Sequence, residues 1–183
     1  EVKGYYAVAE SAAITHPYWD DLPCLWQGEG GLGERMGAIY QTLLKQHDFV
    51  ILVGADIPQM TRAELEKAVS YLSNDKQPPR LTFAPSADGG FWLLGGNCAI
   101  TQNIWRDVLY SRHDTGENFL NKIAPLGEIK LLACLRDVDE LSDLLALRVT
   151  LLKSEVLLPE QQQLMHFLNN VLLDFPKLLN KKP

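Results

Sequence analysis

Phe49-Val50-Ile51-Leu52-Val53-Gly54-Ala55-Asp56-Ile57-Pro58 places five apolar residues in a row ahead of Gly, Ala and Asp. A run this short, rich in β-branched residues and closed by glycine, predicts a strand buried on both faces of a parallel sheet. Asp56 falls where that strand ends. In open α/β sheets ligands gather outside the carboxyl ends of the strands, so a carboxylate there faces the usual site, and Pro58 stiffens the turn that holds it. The alternative is an Asp that caps the following helix, although Thr61 supplies a better cap.

Working outward, Tyr5 to Ala9 predicts an opening strand. Met36, Ile39, Tyr40, Leu43 and Leu44 form one apolar stripe at helical spacing. Thr61 and Glu64 form a capping box for a second helix carrying Leu65, Ala68, Val69 and Leu72. Asn74 to Pro79 is a polar loop. Short strands are expected around Leu81 to Ala84 and Phe91 to Leu94, joined by Ser86-Ala87-Asp88-Gly89-Gly90. Ile104 to Leu109 predicts a short helix, and Thr115 a cap for another with Phe119, Leu120 and Ile123. A strand over Ile129 to Leu135, a leucine-rich helix from about Leu141 and a last helix from Pro159 complete the pattern. The tail from Lys177 is expected to fray. Strands alternating with helices imply a layered α/β domain with a mostly parallel sheet.

The chain has 183 residues, 46% hydrophobic and 22% charged, which fits one globular domain with a real core. A net charge of −6, with no basic run, gives no electrostatic case for nucleic acid or an anionic membrane as partner. Cys24, Cys98 and Cys134 are dispersed, so neither a disulfide framework nor a zinc site is indicated, and a reducing, cytoplasmic setting is expected. No apolar segment approaches the roughly 20 residues needed to cross a bilayer. Glu1 is followed almost at once by a strand, as in the middle of a fold, so residues are expected ahead of it.

Besides Asp56, three sets of residues are candidates for chemistry. Gly28-x-Gly30-x-x-Gly33 has the dinucleotide spacing, but no convincing strand leads into it, Pro23 interrupts the approach and Glu29 would repel a pyrophosphate. The same loop could let a flat ligand approach the backbone or serve only as surface, and the Gln27 amide could read a base edge. Asp88-Gly89-Gly90 is a hairpin turn by its sequence, yet Phe91 and Trp92 after it would wall a site for an anionic or sugar-like ligand. Asp137 and Asp139, two apart at a strand end, project to one side if the extended geometry persists, and such a pair suits a hard divalent cation. Asp139 or Glu140 could instead merely begin the next helix. His16, His47, His113 and His166 have no ligand spacing.

With these residues in hand, the chain resembles the glycosyltransferase-A-like family of radical-SAM-associated transferases, relatives of the phospholactate guanylyltransferases. The matching segments are Gly4 to Glu10, Gln27 with Leu32-Gly33-Glu34-Arg35-Met36, Gly54 to Pro58, Ala87 to Gly95, and Asp137-Val138-Asp139. They occur in family order and span about the first 150 residues. The resemblance implies a three-layer nucleotide-diphospho-sugar transferase fold with a Mg²⁺- or Mn²⁺-dependent site. Asp56 would be the first metal ligand, with Asp137 and Asp139 completing the set, and Asp56 and Asp88 would be catalytic. Gln27, Gly33 and Arg35 would serve the nucleotide, and Gly89 and Gly90 the acceptor or sugar side. The donor would be a nucleotide sugar or a nucleoside triphosphate, and the acceptor a small molecule that the sequence does not identify.

The family opens with a strand and a loop of the form K-x-P-x-x-G-x-x-K-T-R, which no segment here matches, so the expected fold lacks its first strand. Two functions are open: a metal-dependent glycosyl or nucleotidyl transferase, or a relative that binds a metabolite or protein without turnover. Residues 1–153 are expected to form the transferase domain and 154–183 a helical extension that covers a sheet edge or joins two copies as a homodimer.

Overall fold

The computed structural model describes residues 2–74 and 78–173. Part of the Asn74 to Pro79 loop and the expected fraying tail lie outside these. Six strands and six helices run in the order β1 (Tyr6–Val8), β2 (Cys24–Trp26), α1 (Leu32–Leu44), β3 (Val50–Val53), α2 (Arg62–Leu72), β4 (Arg80–Pro85), β5 (Phe91–Gly96), α3 (Gln102–Arg106), α4 (Thr115–Ile123), β6 (Glu128–Leu131), α5 (Asp143–Leu152) and α6 (Pro159–Leu173) among the described residues.

The main sheet has the order β3-β5-β4-β6. β4 and β6 pair in parallel, while β5 runs antiparallel to both β3 and β4, so three of the four strands share a direction. β1 and β2 form a separate parallel pair.

Alternation along the strands sorts side chains into two cores. Leu81, Phe83 and Leu94 face α1, α3 and α4, where they pack with Tyr40, Trp105, Phe119 and Ile123. Ala84 and Leu93 face the other way, onto Ala68 of α2 and Ile57, and Trp92 joins them where the register shifts at Ala84/Pro85. The result is helices, sheet, helix: a three-layer α/β fold. Buried Tyr40 keeps its hydroxyl satisfied by donating to the Cys98 carbonyl at 2.8 Å.

Two expectations are corrected. β3 is not buried on both faces of a parallel sheet: among the described residues it pairs only with β5, antiparallel, and Val53 is 40% exposed. An apolar run reports local burial but not the direction of its partner. A strand does lead toward Gly28, because β2 starts directly after Pro23, whose carbonyl accepts from the Tyr6 N–H at 2.9 Å. Three residues are too few to show a period.

α5 and α6 build a third cluster from Leu147, Leu151, Met165 and Leu168, with Val138 against it. α6 also reaches the loop after β3. The buried Gln161 amide donates to the carbonyls of Pro58 at 3.0 Å and Met60 at 3.2 Å, and its oxygen accepts from the Leu158 N–H at 3.0 Å. Gln161→Ala should therefore cost about 1–3 kcal/mol in chemical unfolding and speed amide exchange at residues 56–60. Unchanged exchange there would show that this clamp does not order the Asp56 loop.

Candidate active site

Three chain segments converge beyond the ends of β3 and β4. The first is the loop carrying Asp56, where Gly54 leaves room for Asp56 Oδ1 to fold back over the backbone, 2.8 Å from where a Cβ would stand. The second is residues 132–139. Its Leu135 bridges Ser86 in parallel, Ala87 N–H donates to the Leu135 carbonyl at 2.8 Å, and Val138 N–H donates to the Asp56 carbonyl at 3.1 Å. Gln59 adds a side-chain bond to the Arg136 carbonyl. Asp56 and the Asp137-Val138-Asp139 segment are thus joined by a backbone hydrogen bond, although about 80 residues separate them in the chain.

The third segment is the β4–β5 turn. Gly89 adopts φ +95°, and a Cβ there would lie 1.9 Å from the His113 carbonyl oxygen. Its own carbonyl accepts from the Gly116 N–H at 2.7 Å. Glycine lets the turn press against the start of α4. The sequence of Asp88-Gly89-Gly90 leaves turn and site as rivals; the structure makes it a turn, with Asp88 and Gly90 in the lining of a cavity.

These segments enclose a cavity of about 240 Å³ lined by Asp56, Asp88, Asp137 and Asp139 together with Phe91, Trp92 and, from α1, Leu32 and Met36. The aromatic wall expected after the two glycines is present. Trp92 is held by an Nε1–H bond of 2.9 Å to the Ala133 carbonyl.

The carboxylates differ in their surroundings. Burial alone would lift the Asp88 carboxyl, but the Ser86 hydroxyl at 2.5 Å and the Gly90 N–H at 2.8 Å donate to it and hold it below the usual range. Asp137 is pushed up, first by partial burial and then by the charges of Asp88, Asp139 and Asp56. This crowding is what an added cation relieves, and oxygen-only donors suit a hard divalent ion. Among the described residues, no three His, Cys, Asp or Glu side chains stand in joint reach of one ion.

Asp139 does not begin the next helix. That place is taken by Asp143 at the start of α5, whose carboxylate accepts from the N–H groups of Asp139 and Glu140 at 3.3 and 3.0 Å. The Asp139 side chain is left to the cavity.

The nucleotide-side candidates are placed elsewhere. Gln27 donates its amide to the Ala7 carbonyl at 2.8 Å, which ties β2 to β1. Gly33 is buried against α3, where a Cβ would lie 2.2 Å from the Trp105 carbonyl oxygen, so a packing requirement accounts for this glycine. Arg35 has its Nε enclosed with no hydrogen-bond partner. None of the three lines the cavity.

Sequence reasoning missed Tyr110, Ser111, Arg112 and Thr115, which line the cavity from the α3–α4 loop. Thr115 is not the cap that its position suggested: its buried hydroxyl accepts from the Arg112 N–H at 3.1 Å and donates to the Leu109 carbonyl at 2.8 Å. Ser111 has φ +58°, the one positive value outside glycine among the described residues. Nothing in a Ser-Arg-His run signals that conformation. Ser111→Gly should raise stability by up to about 1 kcal/mol, read from the urea midpoint, because glycine removes the Cβ strain. A lower midpoint would mean that the Ser111 side chain supplies a contact the loop needs.

Residues 5–112 match the family described as an uncharacterized protein conserved in bacteria, DUF2064. The chain belongs to this family. No curated protein matches its sequence. A solved structure from Desulfovibrio desulfuricans G20, named provisionally as a nucleotide-diphospho-sugar transferase, is similar at a TM-score of 0.80 and 22% identity, over 95% of this chain and 77% of that one. At that identity the likeness shows the fold. For this DUF2064 chain it supports the three-layer transferase-type architecture. No helix of the described residues is long and apolar enough to cross a membrane.

Proposed function

We propose that this DUF2064 protein is a metal-dependent transferase that takes a nucleotide sugar as donor. The observation that carries the reading is the meeting of Asp56, Asp88, Asp137 and Asp139 around one cavity at the strand ends of this fold. Mg²⁺ or Mn²⁺ would be held by Asp56, Asp137 and Asp139, and would supply neutralisation of the oxygen charge that develops as a diphosphate departs. Since no three acidic groups stand in joint reach of one ion among the described residues, binding would draw these side chains together.

The protein's own residues do the rest. Asp88, fixed by Ser86 and Gly90, is a rigid acceptor for a hydroxyl proton or a sugar hydroxyl. Gly90 lines the acceptor side of the cavity, and Gly89, packed against His113, sets the turn that places it there. Phe91, Trp92, Leu32 and Met36 exclude water from one side of the cavity. Gln27, tied to the Ala7 carbonyl, Gly33, packed on Trp105, and Arg35, whose Nε is enclosed, seat α1 behind the cavity rather than line it.

The test is thermal unfolding with a nucleoside diphosphate, with and without Mn²⁺. Ligand at about 100 Kd contributes about 2.7 kcal/mol, so a rise of roughly 5 °C or more that requires the metal is expected. No rise with any nucleoside diphosphate and either metal would refute the donor assignment.

A further inference from the structure

The loop that carries Arg112 is built more firmly than an exposed connection requires. Ser111 is held at φ +58°. Thr115 closes the loop on both sides of it by bonding to the Leu109 carbonyl and the Arg112 N–H. Upstream, the Tyr110 hydroxyl donates to the Trp105 carbonyl at 2.9 Å. Downstream, the His113 carbonyl packs on Gly89 with no space for a Cβ. The loop and the Asp88 turn are therefore one unit. A strained residue kept by this many contacts points to a directional role for its neighbour in the chain, Arg112.

Arg112 is the single cation among the described residues that line the cavity. It is not consumed by the four cavity carboxylates. Its Nε donates to Asp114 Oδ1 at 3.1 Å, which fixes the guanidinium plane, and its two Nη groups make no hydrogen bond with the described residues. A guanidinium with one edge satisfied and the other open matches a planar or forked oxyanion, a carboxylate or a phosphate, by two parallel bonds.

We infer that Arg112 binds an anionic group, a carboxylate or phosphate, of the second substrate. This rests on the transferase reading of the cavity, within which the Asp88 turn is the acceptor side. Because the Arg112 loop is locked to that turn, whereas Asp56 is joined to residues 137–139, the anion belongs to the acceptor rather than to the donor diphosphate. Tyr110 and Phe91 supply apolar surface beside it.

The test uses three probes of similar shape, phenyl phosphate, phenylacetate and neutral benzyl alcohol, titrated at constant ionic strength into the ¹⁵N-labelled protein without nucleotide. Saturable shifts of the Ser111–Thr115 and Gly89–Phe91 amides are expected with one or both anions and not with the alcohol. A response to phenyl phosphate alone assigns a phosphate, and to phenylacetate alone a carboxylate. R112Q should weaken the anion at least fivefold and R112K by less, while the nucleoside diphosphate response in Mn²⁺ stays unchanged. Equal response to benzyl alcohol, absence of saturable shifts, or wild-type titration of R112Q would overturn the inference. So would a loss of the nucleoside diphosphate response in R112Q, which would move Arg112 to the donor. Anion binding in a wild-type protein that ignores nucleotides would instead remove the transferase reading and leave an anion site in the same cavity.

Discussion

Gly89→Ala is expected to destabilise the protein by about 3 kcal/mol or more and to open the cavity. Two effects act together at this position. With φ at +95°, any residue with a Cβ carries backbone strain of about 1–2 kcal/mol. The added carbon would also sit 1.9 Å from the His113 carbonyl oxygen, which is backbone and cannot swing aside. Relief requires the turn to leave α4, and the Gly116 N–H bond to the Gly89 carbonyl then breaks for roughly a further 1 kcal/mol. Gly28 and Gly90 separate these contributions. Gly28 has φ +85° with open space around it, so Gly28→Ala should show the strain alone, about 1 kcal/mol. Gly90 has no left-handed φ, and a Cβ there would press only on the side-chain oxygens of Ser86 and Asp88 at 3.0 and 3.2 Å, so Gly90→Ala should cost less than Gly89→Ala. Urea unfolding of the three variants gives the order directly. If Gly89→Ala unfolds no earlier than Gly28→Ala, the turn is not wedged against α4 and the Arg112 loop has lost its foundation.

How much of the fold is legible in the sequence depends on the range of the interactions that set it. The helices α1, α2 and α6 are visible because their stripes and caps are local, and Glu64 does accept from the Thr61 N–H at 3.0 Å. β3 and β5 are visible as apolar runs, whereas their antiparallel pairing is not, since a partner's direction leaves no trace in a strand's own composition. Asp56 and Asp88 are legible because each closely follows a strand, whereas the strand expected over Ile129 to Leu135 stops at Leu131, and an isolated bridge at Leu135 carries the chain on to Asp137 and Asp139. That the four aspartates share one cavity depends on β4 lying between β5 and β6, a fact of topology. The α3–α4 loop is illegible. Its shape is set by a threonine hydroxyl turned to neighbouring backbone and by glycines on another hairpin, and neither interaction has a signature within the loop.

Asp137→Asn should produce opposite changes in stability and function. The Asp137 carboxyl is raised by partial burial and by three acidic neighbours, so its ionised form opposes folding. A group raised in the folded state contributes its stability below the unfolded value, near 4 for an aspartate, and loses it as pH rises through the folded value. The asparagine variant avoids that loss. It should be more stable than wild type at pH 7 without metal, and the advantage should vanish as the pH falls below about 4. Asp88→Asn has the reverse sign. That carboxyl is lowered overall, so it contributes stability above the unfolded value and loses it as the pH falls, and its variant should be weaker at pH 7 and converge with wild type in acid. Function should move against stability at Asp137, since the charge that crowds the cluster is the charge a cation would use. Loss of the Mn²⁺-dependent nucleoside diphosphate response, on the order of 10²-fold in affinity, is expected in Asp137→Asn. Paired thermal scans across pH, with and without Mn²⁺ and nucleoside diphosphate, read both quantities from one protein. An Asp137→Asn variant less stable than wild type at pH 7 would show that this carboxylate is held by favourable contacts, and the electrostatic case for a cation in the cavity would fall with it.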